Sequence, residues 1–281
     1  MIVVGVDGSV PARAAVDWAA GDALRMHQPL LLVHAVDRAP YQIAKFPGPA
    51  RPDTLLRASH KVLQEAVALV HERQPTVEVT TQVVEGAPAM VLRDQGRTAT
   101  ELLVGSRGRG GLAGALLGSV SEHVAGQAGC PVVVVHGDPR PRFGEVVVGV
   151  DDSPESRPAL AYAFEQAALR GNTLRALYTW QPPVRAFATE LPHEMDEART
   201  LRRQAVADRL ETFQTEYPQV TVIEDIRCGR AVEALTQASR HADLLVVGTH
   251  GRGTVGSALL GSVSRGVLHH AQCTVAVVRG T

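Results

Sequence analysis

Residues 105–121 have the sequence GSRGRGGLAGALLGSVS, and residues 248–264 repeat it as GTHGRGTVGSALLGSVS, with eleven of seventeen positions identical. A second block, IVVGVDGS at 2–9, returns as VVVGVDDS at 146–153. The blocks recur in the same order, with offsets of 143 and 144 residues. Such a nearly constant offset indicates that one unit of the chain has been duplicated in tandem.

The length of the chain agrees with two domains. It has 281 residues, and single domains commonly contain about 100 to 150. The segment HGDPRPRFG at 136–144 is rich in proline, glycine and charge, which is typical of a linker. We therefore predict one domain over residues 1–137 and a second over residues 145–281.

Composition excludes several classes of protein. A formal net charge of −1 provides no basic field for nucleic acid. No apolar run reaches the length of a membrane span, and the first residues lack the features of a signal peptide. Cys130, Cys228 and Cys273 are too far apart in sequence for a disulfide framework or a zinc site. We expect a cytoplasmic protein that binds neither nucleic acid nor membrane and has no metal-ligand set of its own; Cys130 and Cys273 are interpreted as core residues.

Short apolar runs alternate with longer segments of helical period in each half. This alternation predicts βαβ units and an α/β fold: two doubly wound domains, each with a five-stranded, mainly parallel sheet flanked by helices. Unbroken valine runs such as PVVVV at 131–135 indicate strands covered on both faces. Ser9 and Ser153 are predicted to cap the first helix of each half. The predicted strands are 2–7, 30–36, 77–84, 101–105 and 132–136, then 145–151, 173–180, 220–227, 243–248 and 274–279.

The glycine-rich segment follows a buried strand and leads into an apolar helix in both halves. Its pattern is Gly-x2-Gly-x9-Gly-Ser. Glycines let backbone N–H groups approach phosphate oxygens, and the free N–H groups of a helix N-terminus favour an anion. The pattern predicts a polyphosphate site, where the serine hydroxyl could reach a magnesium ion on the phosphates. The residues are Gly105, Gly108, Gly118, Ser119 and Val120, then Gly248, Gly251, Gly261, Ser262 and Val263.

The alternative is a turn and helix cap with a purely structural role. Retention of the whole pattern in both halves favours binding, because the loops at 38–53 and 181–193 have diverged. Arg107, Arg109, Arg252 and His250 could turn a cation toward the phosphates. For Arg107, an exposed surface position is an equally good interpretation.

Each first strand ends in an aspartate, Asp7 or Asp151. If the first and fourth strands are neighbours, this carboxylate lies beside the glycine loop and can accept hydrogen bonds from ribose hydroxyls. Capping of the following helix is the alternative. Adenine would then rest on the end of the second strand, at Ala35 or Thr179.

Taken together, the glycine pattern and the repeated strand–Asp block resemble the ATP-binding branch of the universal stress protein family, in the tandem two-domain form seen in actinobacteria. The resemblance covers essentially the whole chain. It implies an adenine nucleotide alpha hydrolase-like sheet of order 3-2-1-4-5, pairing of the two domains through their fifth strands, and a homodimer. Matched positions for adenine and ribose are Gly5, Asp7, Ala35 and Gly105, then Gly149, Asp151, Thr179 and Gly248. Thr179 departs from the valine that family members often have there, so the second site is expected to differ.

The expected function is that of a nucleotide-responsive regulator of stress adaptation or dormancy. The chain has no Gly-Lys-Ser/Thr phosphate loop and no evident general base, so no catalytic residue is assigned. A slow ATP hydrolase or nucleotide-transferring enzyme is one alternative, and an interaction module that has lost its nucleotide is another. The Ser-Gly-Gly-x-Asp-Ser and His-x-Gly-His strings of adenylyl-transferring relatives are absent from the sequence.

Overall fold

The computed structural model describes residues 1–37, 52–108, 117–137, 141–153, 156–181, 192–250 and 260–280. The chain divides into two compact units, Met1–Pro139 and Arg140–Thr281. Within the described residues, no helix is both long and apolar enough to cross a bilayer.

In the described part of unit 1, five parallel strands alternate with four helices. The strands pair in the order β3-β2-β1-β4-β5. Helices α1 and α2 contact each other, as do α3 and α4, so two pairs of helices flank the sheet. The elements are β1 Ile2–Gly5, α1 Val10–Met26, β2 Leu30–Val36, α2 Pro52–Arg73, β3 Val79–Glu85, α3 Pro88–Gln95, β4 Glu101–Gly105, α4 Ser119–Gln127 and β5 Val132–Val135.

Unit 2 repeats this arrangement, with parallel strands paired in the order β8-β7-β6-β9-β10. Helix α5 contacts α6, and α7 contacts α8. A short 3-10 helix, Ser239–His241, precedes β9. The elements are β6 Glu145–Val150, α5 Ser156–Arg170, β7 Thr173–Trp180, α6 Pro192–Glu216, β8 Val222–Cys228, α7 Ala231–Ala238, β9 Leu244–Gly248, α8 Ser262–His270 and β10 Thr274–Val278. The predicted α/β class, with parallel sheets and flanking helices in tandem, is confirmed.

The core of each unit lies on the central strands. Every residue of β4, β5 and β10 is buried, as the unbroken apolar runs predict. The strands β3 and β8, at an end of the order in each unit, carry polar residues; four of the seven residues of β3 are exposed, whereas β8 is mostly half-buried. Burial of valine and leucine side chains, worth about 1.5 to 3 kcal/mol each, therefore stabilises the strands from which the glycine loops begin.

Two predicted strands begin later in the structure than in the sequence pattern. The backbone N–H of Val77 donates to the carbonyl of Gln74, and that of Val220 donates to Tyr217. The chain is therefore still in a turn at these two valines, and the strands begin two residues later, at Val79 and Val222. Val77 and Val220 are buried although they belong to turns. The hydrophobic pattern therefore placed the start of each strand two residues too early.

Ser9 caps α1 as predicted, because its Oγ accepts a hydrogen bond from the Ala12 N–H at 3.3 Å. Pro154 and Glu155, beside the other predicted cap, lie outside the described residues. Most of the divergent loops at 38–53 and 181–193 also lies outside them.

Candidate functional site

The candidate site lies where the strand order reverses in each sheet. In unit 1, β1 pairs with β2 on one side and with β4 on the other, which confirms that the first and fourth strands are neighbours. In unit 2, β6 lies between β7 and β9 in the same way. Ligands of open α/β sheets bind beyond the carboxyl ends of strands at such a reversal. Asp7 and Asp151 follow the first strands there, next to the strands from which the glycine loops begin.

Gly105 ends β4 directly beneath the start of α1. A Cβ at this position would lie 2.5 Å from the carbonyl carbon of Pro11 and 2.7 Å from the backbone nitrogen of Ala12. Only glycine allows this approach, because both contacts are with backbone atoms that cannot rotate away. The first glycine of the pattern is therefore required for packing the helix on the strand.

Gly108 lies against the carboxylate of Asp7. A Cβ on Gly108 would lie 2.7 Å from Asp7 Oδ2. The other carboxylate oxygen, Oδ1, accepts a hydrogen bond from the Ser9 N–H at 2.9 Å. One oxygen of Asp7 thus serves the turn before α1, as in the capping interpretation, and the other faces the glycine loop.

Gly118 returns the loop to the strand end and begins α4. Its N–H donates to the Ser106 carbonyl at 2.8 Å, and Ser121 Oγ in the first turn of α4 donates to the Gly105 carbonyl at 2.7 Å. These two bonds hold the helix N-terminus beside the end of β4. Within the described residues, no side chain caps α4. The first N–H groups of a helix, here those of Ser119 and Val120, have no intrahelical acceptor.

Unit 2 has the same construction. The Gly261 N–H donates to the Thr249 carbonyl at 2.8 Å, and Ser264 Oγ donates to the Gly248 carbonyl. No side chain from the described part of the chain caps α8, which begins at Ser262 and Val263. Asp151 Oδ1 accepts from both the N–H and the hydroxyl of Ser153, at 3.0 and 2.6 Å. Gly251, Arg109 and Arg252 lie outside the described residues.

The expected base-binding positions occupy the ends of the second strands. Ala35 and Thr179 are the next-to-last residues of β2 and β7, and both are half-buried. Gly5 and Gly149 have a packing role, because a Cβ on either would press on a leucine of the helix below, at 2.7 Å from Leu92 and 3.3 Å from Leu235. Any ligand contact at these two glycines would therefore come from backbone atoms.

The polar and sulfur-bearing residues around the loops divide into exposed and buried groups. Arg107 is exposed, and its carbonyl accepts from Ser9 Oγ at 3.4 Å. His250 is half-buried and its Nδ1 lies 3.1 Å from Thr249 Oγ1. Cys130 and Cys273 are buried, as predicted. Burial, followed by the charge of Glu101, raises the pKa of the Cys130 thiol to about 12, so this sulfur stays protonated and unreactive.

Sequence reasoning missed one group of residues in unit 2. Arg202 belongs to a strongly charged run of α6, yet it lies over the indole ring of Trp180, with its guanidinium carbon 4.2 Å from the ring centroid. Both side chains line a cavity of about 590 Å3 that also includes Thr179. The only available signal was the pair of aromatic residues, Tyr178 and Trp180, near the end of a predicted strand.

Known proteins support the assignment of a family. The model of the universal stress protein family matches residues 1–136 and 142–279. Universal stress protein Rv2005c of Mycobacterium tuberculosis is 37% identical over 290 residues, covering 99% of this chain and 96% of the relative. Universal stress protein Rv2623 of the same species is 34% identical over 292 residues, covering 99% and 96%.

A crystal structure of a universal stress protein from Archaeoglobus fulgidus is similar in fold, with a TM-score of 0.70 and 20% identity, and covers 99% of this chain and 96% of that one. The reversal of strand order beside a glycine loop defines a doubly wound α/β protein with a candidate anion site in each unit. The chain belongs to the universal stress protein family, in a tandem arrangement of two such domains.

Proposed function

We propose that each unit binds one ATP, with its phosphates on the glycine loop and its base on the end of the second strand. We also propose that the protein acts as a nucleotide-responsive regulator of stress adaptation, with at most slow hydrolysis. The observation that carries the proposal is the position of α4 and α8. In both copies of the unit, each helix begins without a side-chain cap from the described residues, and the strand that leads into the glycine loop is the neighbour of the strand that the aspartate follows.

The local geometry fits a polyphosphate. The N–H groups at a helix N-terminus carry partial positive charge and point at an anion placed there. In unit 1 the missing side chains of Gly108 and Gly118 leave the surface next to Asp7 and Ser106 formed largely by backbone. We assign the ribose hydroxyls to Asp7, whose Oδ2 lies on the side of Gly108 while Oδ1 accepts from the Ser9 N–H.

Magnesium would arrive with the phosphates. In the described residues, no group of three histidine, cysteine or acidic side chains is arranged to hold a metal ion. Mg2+ commonly takes its protein ligands from one or two side chains and completes its shell with phosphate oxygens and water. The hydroxyls of Ser119 and Ser262 are the protein oxygens we assign to it, and the ion would neutralise charge on the triphosphate.

Efficient phosphoryl transfer lacks its usual parts. The sequence contains no lysine within a Gly-Lys-Ser/Thr loop, and such a lysine normally stabilises the charge that develops on the transferred phosphate. The arrangement of backbone donors therefore supports binding more strongly than turnover. The homodimer implied by the resemblance and the cytoplasmic location expected from the sequence stay predictions, which sedimentation and cell fractionation check.

Titration calorimetry with ATP and Mg2+ tests the proposal. The wild-type chain should bind two equivalents, and Gly118→Ala or Gly261→Ala should each weaken one of them about tenfold, or about 1.4 kcal/mol. Both backbones allow alanine, with φ of −83° and −60°, so neither substitution strains the backbone dihedral angles. The methyl of Gly118→Ala would lie 3.4 Å from Arg107 Cα, and that of Gly261→Ala would lie 3.1 Å from the Thr249 carbonyl oxygen. Each methyl would therefore narrow the space between the helix N-terminus and the residues that follow the fourth strand.

A control variant is Gly129→Ala, whose methyl would have no neighbour nearer than 3.7 Å. It should bind ATP as the wild type does. Absence of any calorimetric signal, together with no nucleotide released from gently denatured protein, would instead identify an interaction module that has lost its ligand. Multiple-turnover phosphate release well above that of the Gly118→Ala, Gly261→Ala double variant would identify an enzyme.

A further inference from the structure

Unit 2 contains a cavity of about 590 Å3 at the carboxyl end of its second strand. Its lining comes from four segments of unit 2: the connection after β6, the end of β7, one side of α6, and the connection from β8 to α7. Thr179, the proposed base contact, belongs to this lining. The residues are Asp152, Tyr178, Thr179, Trp180, Arg202 and Ala205, among others.

Arg202 and Trp180 form a stacked pair in the cavity wall. The guanidinium carbon of Arg202 lies 4.2 Å from the centroid of the indole ring. Trp180 is buried, with 9% of its surface exposed, while Arg202 is half-buried. A guanidinium is planar and stacks on aromatic faces. The pair therefore presents a flat cationic surface, backed by an aromatic ring, on the lining that includes Thr179.

A polar network attaches helix α6 to the strand ends and so fixes the position of Arg202. Asp152 accepts from the Tyr178 hydroxyl at 2.9 Å and from Arg209 Nη1 at 3.1 Å. Arg209 Nη2 also donates to the Asp152 carbonyl at 2.8 Å. Arg209 and Arg202 lie seven residues apart, close to two helical turns, so they lie on the same side of α6. The Asp152–Arg209 pair holds that side of the helix toward the cavity.

Unit 1 has none of these side chains at the equivalent positions. The strand registers match Tyr178 with His34, Thr179 with Ala35 and Trp180 with Val36. The offset of 144 in the first block matches Asp152 with Gly8. On the helix, the offset of 143 that relates β3 to β8 matches Arg202 with Ser59 and Arg209 with Ala66, both of which are buried small residues in α2.

We propose that the base of the nucleotide bound by unit 2 stacks on the Arg202 guanidinium, and that this platform makes unit 2 selective for a large planar base. The proposal rests on the nucleotide binding proposed above and adds a base-selecting site found in one unit only. Stacking depends on overlapping flat surfaces, so purine nucleotides bind unit 2 more tightly than pyrimidine nucleotides. Unit 1, with Val36 and Ser59 at the matching positions, lacks this preference.

Trp180 supplies a readout that belongs to this cavity alone. The chain has two tryptophans, Trp18 in α1 and Trp180. In a Trp18→Phe background, the fluorescence of Trp180 should change on saturation with ATP and Mg2+, because a base then covers the guanidinium above the ring. Inorganic tripolyphosphate, which has no base, should leave this emission unchanged.

Arg202→Ser, which introduces the residue of unit 1, should weaken ATP binding at unit 2 roughly tenfold, since stacking of a base typically contributes that much or more. It should also abolish the preference for ATP over UTP. Arg203→Ser is the matched control, because Arg203 is 58% exposed and lies beside Glu224 at 3.8 Å. This control should leave affinity and emission as they are in the parent protein.

The outcomes separate this proposal from the one on which it rests. The parent protein could bind two equivalents of ATP without a change in Trp180 emission, and Arg202→Ser could bind ATP with unchanged affinity. These results together would overturn the stacking platform and leave the proposed nucleotide binding intact. An equal loss of ATP and tripolyphosphate affinity would also overturn it, because Arg202 would then contact phosphate. No binding of ATP by the parent protein would overturn both proposals.

Discussion

Two glycines of the loop in unit 1 serve different purposes although the sequence pattern treats them alike. A side chain on Gly105 would meet the backbone of Pro11 and Ala12, whereas a side chain on Gly108 would meet only the end of the Asp7 side chain. Backbone cannot move aside without displacing α1, but a carboxylate can rotate. One glycine is therefore required by the fold, and the other keeps Asp7 in place.

This difference predicts opposite results for two similar substitutions. Gly105→Ala should lower the free energy of unfolding by about 3 kcal/mol, the upper part of the range for overpacking. Gly108→Ala should change it by less than about 0.5 kcal/mol, as at exposed positions, yet weaken ATP binding at unit 1 about tenfold by displacing Asp7. Urea unfolding and titration calorimetry measure the two effects. Equal loss of stability in both variants would contradict the assignment.

Individual contacts were the least predictable part of the site. The spacing of glycines and serines is local, so the sequence alone predicted the helices that begin at Ser119 and Ser262. The Arg202–Trp180 pair joins positions 22 residues apart in sequence, on a helix and a strand, and nothing in either local pattern specifies that contact. A charged run on a helix usually faces solvent, and here one of its arginines lies against an aromatic ring instead.

Among the elements of unit 2, a row of ion pairs crosses β6, β7 and β8. Arg175 donates to both carboxylate oxygens of Glu145, at 2.9 and 2.8 Å, and to Asp225 Oδ2 at 3.3 Å. Asp225 in turn accepts from Arg227 at distances down to 2.6 Å. The hydrogen bond from Arg227, assisted by the charges of Arg227 and Arg175, lowers the pKa of Asp225 below its ordinary value of 3.8, although burial opposes this shift.

The lowered pKa predicts a stability contribution that depends on pH. A carboxyl group with a depressed folded-state pKa stabilises the protein above its unfolded-state pKa and loses this effect as the pH falls through the folded value. Asp225→Asn should therefore lower the free energy of unfolding by about 1 to 3 kcal/mol at pH 7. The deficit relative to wild type should shrink as the pH falls below about 4. Urea titrations across this range provide the measurement.

Asp94→Asn is the control for this prediction. Asp94 pairs with Arg93 at 2.7 Å, but its side chain is 56% exposed, and exposed pairs contribute less than about 1 kcal/mol. A cost at pH 7 as large as that of Asp225→Asn would show that the row of ion pairs has no special role. Patterns of hydrophobicity predicted the strands that carry this row, but its pairs could not be predicted, because register between strands sets which charges meet.

For the whole molecule, the three cysteines report separately on the two units. Cys130 and Cys273 occupy matching buried positions before β5 and β10, while Cys228 is exposed at the end of β8. The pKa of Cys130, raised to about 12, further suppresses its reactivity. A folded chain should therefore react rapidly with a thiol reagent at one cysteine, and an unfolded chain at three.

Bound nucleotide should slow the labelling of the two buried thiols, because a ligand that binds only the folded state reduces the population of open forms. With Gly118→Ala, ATP should protect Cys273 but protect Cys130 far less. Peptide mass spectrometry after timed labelling distinguishes the cysteines, and Cys228→Ser removes the rapid phase as a control. Equal protection of Cys130 and Cys273 in the Gly118→Ala protein would argue against separately occupied sites.

The two units carry different side chains at matched positions, such as Trp180 and Val36. If both units bind nucleotide, this difference would give them different affinities. Two sites that differ about tenfold in affinity fill one after the other as the concentration of nucleotide rises. Over roughly a decade of concentration the singly loaded chain is then the main species. A chain with two such sites would be empty at low, singly loaded at intermediate and doubly loaded at high nucleotide concentration. Two identical sites would fill over a narrower range of concentration.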